Sequence, residues 1–470
     1  MTFFSSVSYG KTKIQESQFA ILWKKLPETL NPLHFDALSA RDESLISQRL
    51  IHCSLFKNKE EEPYIAESWK WLDAFTTLEI KIKKDFKFSD GSLLTVKDII
   101  ETMTRLKNRS SYTVASSDPY SLTIKFKSSH TFNVAFLQKL QFGILPESWL
   151  RSDKSDQDYD MPSCGLFMID RFSDNVLLLK RNPFFPLPKN KKNIVSYKTI
   201  QIKILPNEMT RLEEIRNGTI DFAANVFSYD HVDDIAKKIP SFKVITLNRP
   251  VIHYLEMNTK VPLLSTISLR KAIAQRIDRE KIVNIFFKRF AIPILNFAQP
   301  FESIVDHMFD FPSYTSSSIK KNGGSVKTHF KFGVPLDTTL IAAGKAISAE
   351  LQDMGLNIEL MTFEQPQLEA EISGGNLSMW LSTWDLSLLC LQENLSAIPA
   401  WEREILKSCQ IQDKKQRNRA WREFQKQMFD DYTAIPLWQL QQIIIQNKNA
   451  DLPPTTSESS QFPTLSDFLP

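Results

Sequence analysis

The chain has 470 residues, 42% hydrophobic and 24% charged, the make-up of an ordinary globular protein with room for two or three cored domains. Lys and Arg number 58 against 54 Asp and Glu, and the resulting +4 is too weak a bias to argue for nucleic acid or a membrane surface as partner. No run of about 18 apolar residues is present, so no transmembrane helix is expected, and the opening MTFFSSVSYGKTK lacks the basic stretch and apolar core of a secretory signal.

Residues 1–17 read as poorly ordered, and from Phe19 the chain runs FAILWKKLPETLNPLHF. Leu45, Ile46, Leu50, Ile51 and Leu55 form a helical stripe, and Lys57 to Glu62 a charged, solvated turn. Between Thr77 and Lys83, Leu78, Ile80 and Ile82 alternate with polar partners, which predicts a strand with one buried face. Ser89-Asp90-Gly91 is a turn, because Asp can bond its own backbone and Gly accepts positive φ. Thr95 and Asp98 have capping-box spacing, and Ile99, Ile100, Met103 and Leu106 make the apolar face of the helix that follows.

Leu122, Ile124 and Phe126 predict another strand, and 132–140 a helix. A turn at Ser173-Asp174-Asn175 leads into an apolar strand, Val176 to Leu179. Ile200, Ile202 and Ile204 alternate as a strand; Pro206-Asn207 opens a helix expected to turn Met209, Leu212 and Ile215 to one face; Asn217-Gly218 ends it; and Ile220, Phe222 and Ala224 resume a strand. Residues 313–328 form a Ser-, Lys- and Gly-rich loop. Thr338 to Met354 predicts a helix with Ile341, Ile347 and Leu351 inward, stopped by Gly355 before a strand through Leu356, Ile358 and Leu360. Arg422 to Met428 is helical, and 451–470 read as a loose tail.

Cys53, Cys164, Cys390 and Cys409 are scattered without a Cys-x-x-Cys pair, which argues against zinc. They read as buried free thiols, with a Cys390–Cys409 bridge open to an oxidising compartment. The seven histidines are dispersed, and there is no HExxH, GxSxG or GxxxxGK, so no enzyme, metal or cofactor site is expected.

Pro63-Tyr64-Ile65-Ala66-Glu67-Ser68-Trp69, Phe86-Lys87-Phe88-Ser89-Asp90-Gly91 and Leu94-Thr95-Val96-Lys97-Asp98-Ile99 together resemble the signature of extracytoplasmic solute-binding proteins, above all the dipeptide- and oligopeptide-binding group of ABC importers. Further likenesses keep that family's order. Leu30-Asn31-Pro32-Leu33 resembles its opening strand and turn at the ligand cleft, and Ile144-Leu145-Pro146 a short strand ended by proline. Ser163-Cys164-Gly165-Leu166-Phe167 stands where the family has Gly-Thr-Gly-Pro-Tyr, and Arg181-Asn182-Pro183-Phe184-Phe185 resembles its hairpin cap. His253 to Thr259 resembles the strand crossing into the second large lobe, Leu269 to Ile282 a helix pair, and Ala434-Ile435-Pro436-Leu437 the return. Single motifs are weak; their colinearity is not.

The resemblance implies an α/β, two-lobed, periplasmic-binding-protein-like fold of type II with an additional small lobe. The expected division is 18–50, 161–250 and 430–450 in lobe I, 51–160 in the small lobe and 251–429 in lobe II. It implies a monomeric receptor, periplasmic or at the cell surface, that captures a peptide or related small solute and delivers it to an ABC permease, with no nucleic acid and no cofactor. The alternatives are a cytoplasmic ligand-sensing module related to transcriptional regulators, and a degenerate scaffold without ligand.

An extended peptide can be held through its main chain, but its charged ends need fixed counter-charges. In the peptide-binding relatives a Trp-x-x-Asp supplies a carboxylate for the ligand's α-amino group. Aligned on it, Trp384 takes the Trp position, Ser387 stands three residues later, and Asp385 is adjacent, on the other side of a strand. The amine anchor is therefore missing unless a bulge or loop turns Asp385 inward. By the same resemblance Asn31, His34 and Phe35 meet the cleft, and Ser163 and Gly165 bring backbone near it. Read without it, Trp384 is a core aromatic, Asp385 and His34 are surface groups, and Ser163 to Gly165 is a turn.

Overall fold

The computed structural model describes residues 18–26, 30–34, 50–56, 64–73, 76–105, 112–127, 143–152, 161–186, 197–297, 310–315, 329–385, 411 and 413–450. The helix expected at 132–140, Leu106, most of the loop at 313–328, the tail, Phe35, Ser387, Cys390 and Cys409 lie outside the described residues.

Strand β1 (Gln18–Trp23) is a continuous apolar run because both of its faces are covered: Phe19, Ile21 and Trp23 enter one core, Ala20 and Leu22 another. Strands β2 (Ala66–Leu72) and β3 (Thr77–Ile82) pair antiparallel, and β3 buries Leu78, Ile80 and Ile82 as their alternation predicts. At the following turn the Asp90 carboxylate accepts from Ser92 N at 2.9 Å and Gly91 has φ 86°. Helix α1 (Val96–Arg105) starts at the expected box, with the Thr95 N–H donating to Asp98 at 2.7 Å. Strands β4 (Tyr112–Asp118) and β5 (Ser121–Phe126) complete a four-stranded sheet of order β2-β3-β5-β4. Its buried side chains join the core under β1. Residues 144–145 do not form the short strand expected of them: their amides are taken by Cys53 O at 3.2 Å and Thr102 Oγ1 at 3.1 Å, and the chain turns directly into α2 (Glu147–Leu150).

Strands β6 (Phe167–Ser173) and β7 (Val176–Arg181) form a hairpin whose two central residues, Asp174 and Asn175, have φ 52° and 60°, the left-handed pair of a type I′ turn. Strand β8 (Thr199–Ile204), helix α3 (Glu208–Arg216) and β9 (Phe222–Ala224) make the expected β-α-β unit, both strands parallel to β1. Asn207 caps α3 through its side chain. Met209 departs from expectation: it is 53% exposed, and Arg211 takes the inner face with Leu212 and Ile215. The guanidinium is accommodated there because the carbonyls of Leu205, Pro206 and Val226 accept from it at 2.6, 2.7 and 2.9 Å. Helix α4 (Tyr229–Lys238) follows.

Strand β10 (Phe242–Met257) then runs 16 residues from the first lobe into the second. The second lobe adds α5 (Ile267–Arg276), α6 (Arg279–Ile282), β11 (Ala291–Pro293), β12 (His329–Pro335), α7 (Thr338–Asp353), β13 (Asn357–Phe363), α8 (Gln365–Ser373), β14 (Met379–Asp385) and α9 (Lys414–Asp431). Strand β15 (Ala434–Asn447) returns antiparallel beside β10. One half of the β10–β15 ribbon, Phe242 to Asn248 against Gln441 to Asn447, belongs to the first lobe, where β15 also pairs β9; the other, Ile252 to Glu256 against Ala434 to Gln439, belongs to the second, where β10 also pairs β14. The register shifts between Asn248 and Ile252, around Pro250, which has no N–H to give the ladder. Separate cores flank the crossing: Ile21, Leu179 and Ile202 with Leu22, Leu212 and Ile235 in the first lobe, and Phe332, Ile347, Leu381 and Trp438 in the second.

The cysteine expectation needs correcting. Cys53 and Cys164 are bridged, with Cα atoms 5.3 Å apart, well inside the range a disulfide spans. They are not free thiols.

Candidate functional site

Strand directions locate the site. In the first lobe β1, β8 and β9 are parallel and β15 opposes β9, so β1, β8 and β9 run toward the crossing and end there at Trp23, Ile204 and Ala224. In the second lobe β14 opposes β10, and β12 and β13 run parallel to β14, so these three also end toward the crossing, at Pro335, Phe363 and Asp385. Each lobe thus aims the carboxyl ends of its parallel strands at the ribbon between them, the place where open α/β sheets hold ligands.

Trp384 and Asp385 are the last two residues of β14. In register they oppose Ile252 and Val251, directly beside the β10 irregularity. The ladder from Met379 to Asp385 is unbroken, so no bulge separates the two, and successive positions alternate faces. One position back, Thr383 Oγ1 lies 3.1 Å from His253 Nδ1, which ties this strand end to the crossing strand.

Asn31 is buried and its Oδ1 accepts from Leu33 N at 3.0 Å, nucleating the short 3₁₀ turn Pro32–His34 in the segment that follows β1. Ser163 is fully buried: its N–H donates to Ser89 Oγ at 3.0 Å and its carbonyl accepts from Ser89 N at 2.7 Å. The Gly165 N–H donates to Ile51 O at 2.8 Å, and a β-carbon there would come within 2.6 Å of the Ile51 carbonyl, with Leu50 O crowding it as well. Glycine is required because two backbones touch. Asn182 clamps the same loop, donating to Gly165 O at 3.1 Å and accepting from Phe184 N at 3.0 Å. The structure therefore brings Ser163 and Gly165 together with the 50–53 segment, and Trp384 and Asp385 together at the β14 end.

Two features of this region escape sequence reasoning. One is the Cys53–Cys164 bridge. The other is His52, buried beside it, with Nε2 3.2 Å from Leu30 O and no hydrogen-bond partner for Nδ1 among the described residues. Burial lowers its pKa from 6.5 to about 4, the Leu30 carbonyl opposing in part. The unfolded chain therefore binds a proton that the folded one refuses between these values, and stability falls as pH drops through that window. Between pH 7 and 4.5 the wild type is expected to lose about 2.5 kcal/mol more than His52→Gln, which keeps a side-chain N–H but does not titrate. Urea denaturation at the two pH values checks this, and equal losses would mean that His52 accepts its proton in the fold.

No helix among the described residues is long and apolar enough to cross a membrane. Residues 60–390 match the model of the bacterial extracellular solute-binding proteins, family 5 middle. The periplasmic oligopeptide-binding protein OppA of Salmonella typhimurium is 23% identical over 294 residues, 55% of this chain and 53% of its own length. The oligopeptide-binding protein AppA of Bacillus subtilis is 25% identical over 278 residues, 54% of this chain and 49% of its own. The chain thus spans about half the length of the curated relatives it matches. Among solved structures, NikA from Brucella suis in complex with Fe(III)-EDTA matches with TM-score 0.78 over 95% of this chain and 98% of its own, at 16% identity. DppA from Helicobacter pylori in complex with the peptide STSA matches with TM-score 0.75 over 97% and 99%, also at 16%. At such identities the solved structures establish the fold, the two-lobed type II arrangement, and the family-model match carries the rest: the chain belongs to the bacterial extracellular solute-binding proteins of family 5.

Proposed function

We propose that this chain is the substrate-binding receptor of an ABC-type importer and captures a peptide or related small solute between its lobes. The observation that carries the reading is the convergence of both sets of parallel strand ends on one two-stranded crossing. A ligand seated there touches both halves, and closure about the crossing excludes water from its polar ends. In this reading lobe I comprises 18–50, 161–250 and 430–450, the small lobe 51–160 and lobe II 251–429, with the two crossing strands passing between the large lobes.

Trp384 serves as the ligand platform; the strand alternation sets Asp385 on the opposite face of β14, so it reaches the ligand only if the chain turns beyond the strand end, and the family resemblance assigns Asn31, His34, Phe35 and Ser387 to the ligand. Ser163 and Gly165 act through backbone, setting the loop that borders it. With Ser387 in the place of a carboxylate, the ligand's positive end is held less firmly than in a receptor with a dedicated anchor. The protein acts as a monomer outside the cytoplasm; the Cys53–Cys164 bridge supports that placement, since such bonds persist in oxidising compartments.

Native mass spectrometry of the purified protein with a pool of two- to five-residue peptides identifies the preferred class. Calorimetry with the captured peptide then tests Trp384. Trp384→Ala is expected to weaken binding about 30-fold, the cost of truncating an aromatic binding anchor, with little change in the melting temperature. An unchanged affinity would return Trp384 to the core, and capture of no member of the pool would count against a peptide ligand.

A further inference from the structure

The lobes are joined by more than two strands. Val283–Phe287 is a π-helical turn, Lys288 follows with φ 53° and ψ −132°, and β11 then pairs with β15 at Trp438, Gln439 and Leu440, alongside the register shift. Val283 and Phe287 lie in the second lobe's core. Phe290, three residues on, is fully buried in the first lobe's core with Leu212, Ile215, Val232 and Ile235. Tyr229, at the start of α4, sits between them, its ring 5.6 Å from Phe287 and stacked at 5.7 Å on Phe290. Outside the rings, Lys288 pairs with Asp230, and Arg289 with Asp233 at 3.4 Å. A π turn followed by a lysine at positive φ is a backbone that persists only when its surroundings hold it, and such strain concentrates where conformation matters.

We propose that Lys288, Arg289 and Phe290 form a clasp that holds α4 of the first lobe and so sets the resting separation of the two lobes. These are positioning residues: they bias the cleft without touching what enters it. The purpose rests on the ligand-capture reading, because a receptor's apparent affinity scales with the fraction of molecules already competent to bind; the mechanical claim does not. Phe290 supplies the anchor. The ion pairs supply the adjustable part, since Lys288, Asp230 and Arg289 are solvent-accessible and the pairs are screened by salt.

The test needs no ligand. Spin labels carried by a genetically encoded keto amino acid at the exposed positions Glu213 and Lys345, one per lobe, leave the native cysteines alone. Pulsed electron spin resonance then reads the interlobe distance distribution. Lys288→Ala with Arg289→Ala is expected to shift the ratio of populations on the order of two- to fivefold per pair lost. Molar salt should shift the wild type the same way and leave the double variant unmoved. The exchanged pair Asp230→Lys with Lys288→Asp should recover much of the wild-type distribution in the Arg289 background. Distances indifferent to substitution and salt would overturn the clasp, as would a salt response that the double variant retains. Failure of the receptor reading looks different: the peptide pool would leave mass and distances of the wild type unchanged while the salt response persisted.

Discussion

Breaking the Cys53–Cys164 bridge is expected to cost the fold about 4 kcal/mol, because the bridge closes a loop of roughly a hundred residues and removes that much freedom from the unfolded chain. The sequence separation is 111, and the enclosed segment holds the whole four-stranded sheet with α1 and α2. That sheet shares a core with β1, β7 and β8, so the loop is also held by burial, and its loss on reduction is graded and not total. Urea denaturation with and without a phosphine reductant measures the difference, and the double substitution Cys53→Ala, Cys164→Ala should reproduce it and abolish the reductant's effect. Peptide mapping after alkylation, before and after reduction, places the bond. Identical midpoints in the oxidised and reduced protein would remove the bridge from any account of stability.

How far the sequence carries varies with the physics of each element. The strands at Thr77–Ile82, Ser121–Phe126 and Thr199–Ile204 are legible because one face of each is buried and the period of two shows through. The turns at Asp90 and at Asp174-Asn175 are legible because so few residues tolerate their backbone. Arg211 is not, because a buried guanidinium satisfied by three carbonyls looks polar to any pattern, and the apolar spacing points Met209 inward in its place. The disulfide is not, because nothing local joins two cysteines 111 residues apart; only the fold brings Ile51 against Gly165. At the candidate site, the resemblance leads to Trp384 and Asp385, and the ladder then places both at the end of β14 beside the crossing. Which lobe strands end there was not readable from the residues at all, since direction in a sheet is set by connections between distant segments.

Trp438→Ala is expected to destabilise the protein by about 3–5 kcal/mol, the usual range for truncating a large buried aromatic, and to do so unevenly. Trp438 is fully buried on β15, in register with His253 of β10 on one side and Pro293 of β11 on the other. Its ring lies 4.9 Å from Phe287 and 5.7 Å from His253, so one side chain touches β10 and the 283–290 segment as well as lying on β15, the described segments that pass between the lobes. A cavity there loosens the crossing itself. Amide exchange should accelerate most at residues 252–256 and 437–440, while β1, β8 and β9 in the first lobe keep their protection. Trp438→Phe separates volume from polarity. The indole N–H has no hydrogen-bond partner among the described residues, so phenylalanine removes an uncompensated donor along with the lost ring. The two effects oppose, and a cost of only about 1 kcal/mol is expected. Losses of equal size for the two substitutions, or faster exchange spread evenly over both cores, would show that Trp438 stabilises its lobe as any core residue does and that the crossing is held elsewhere.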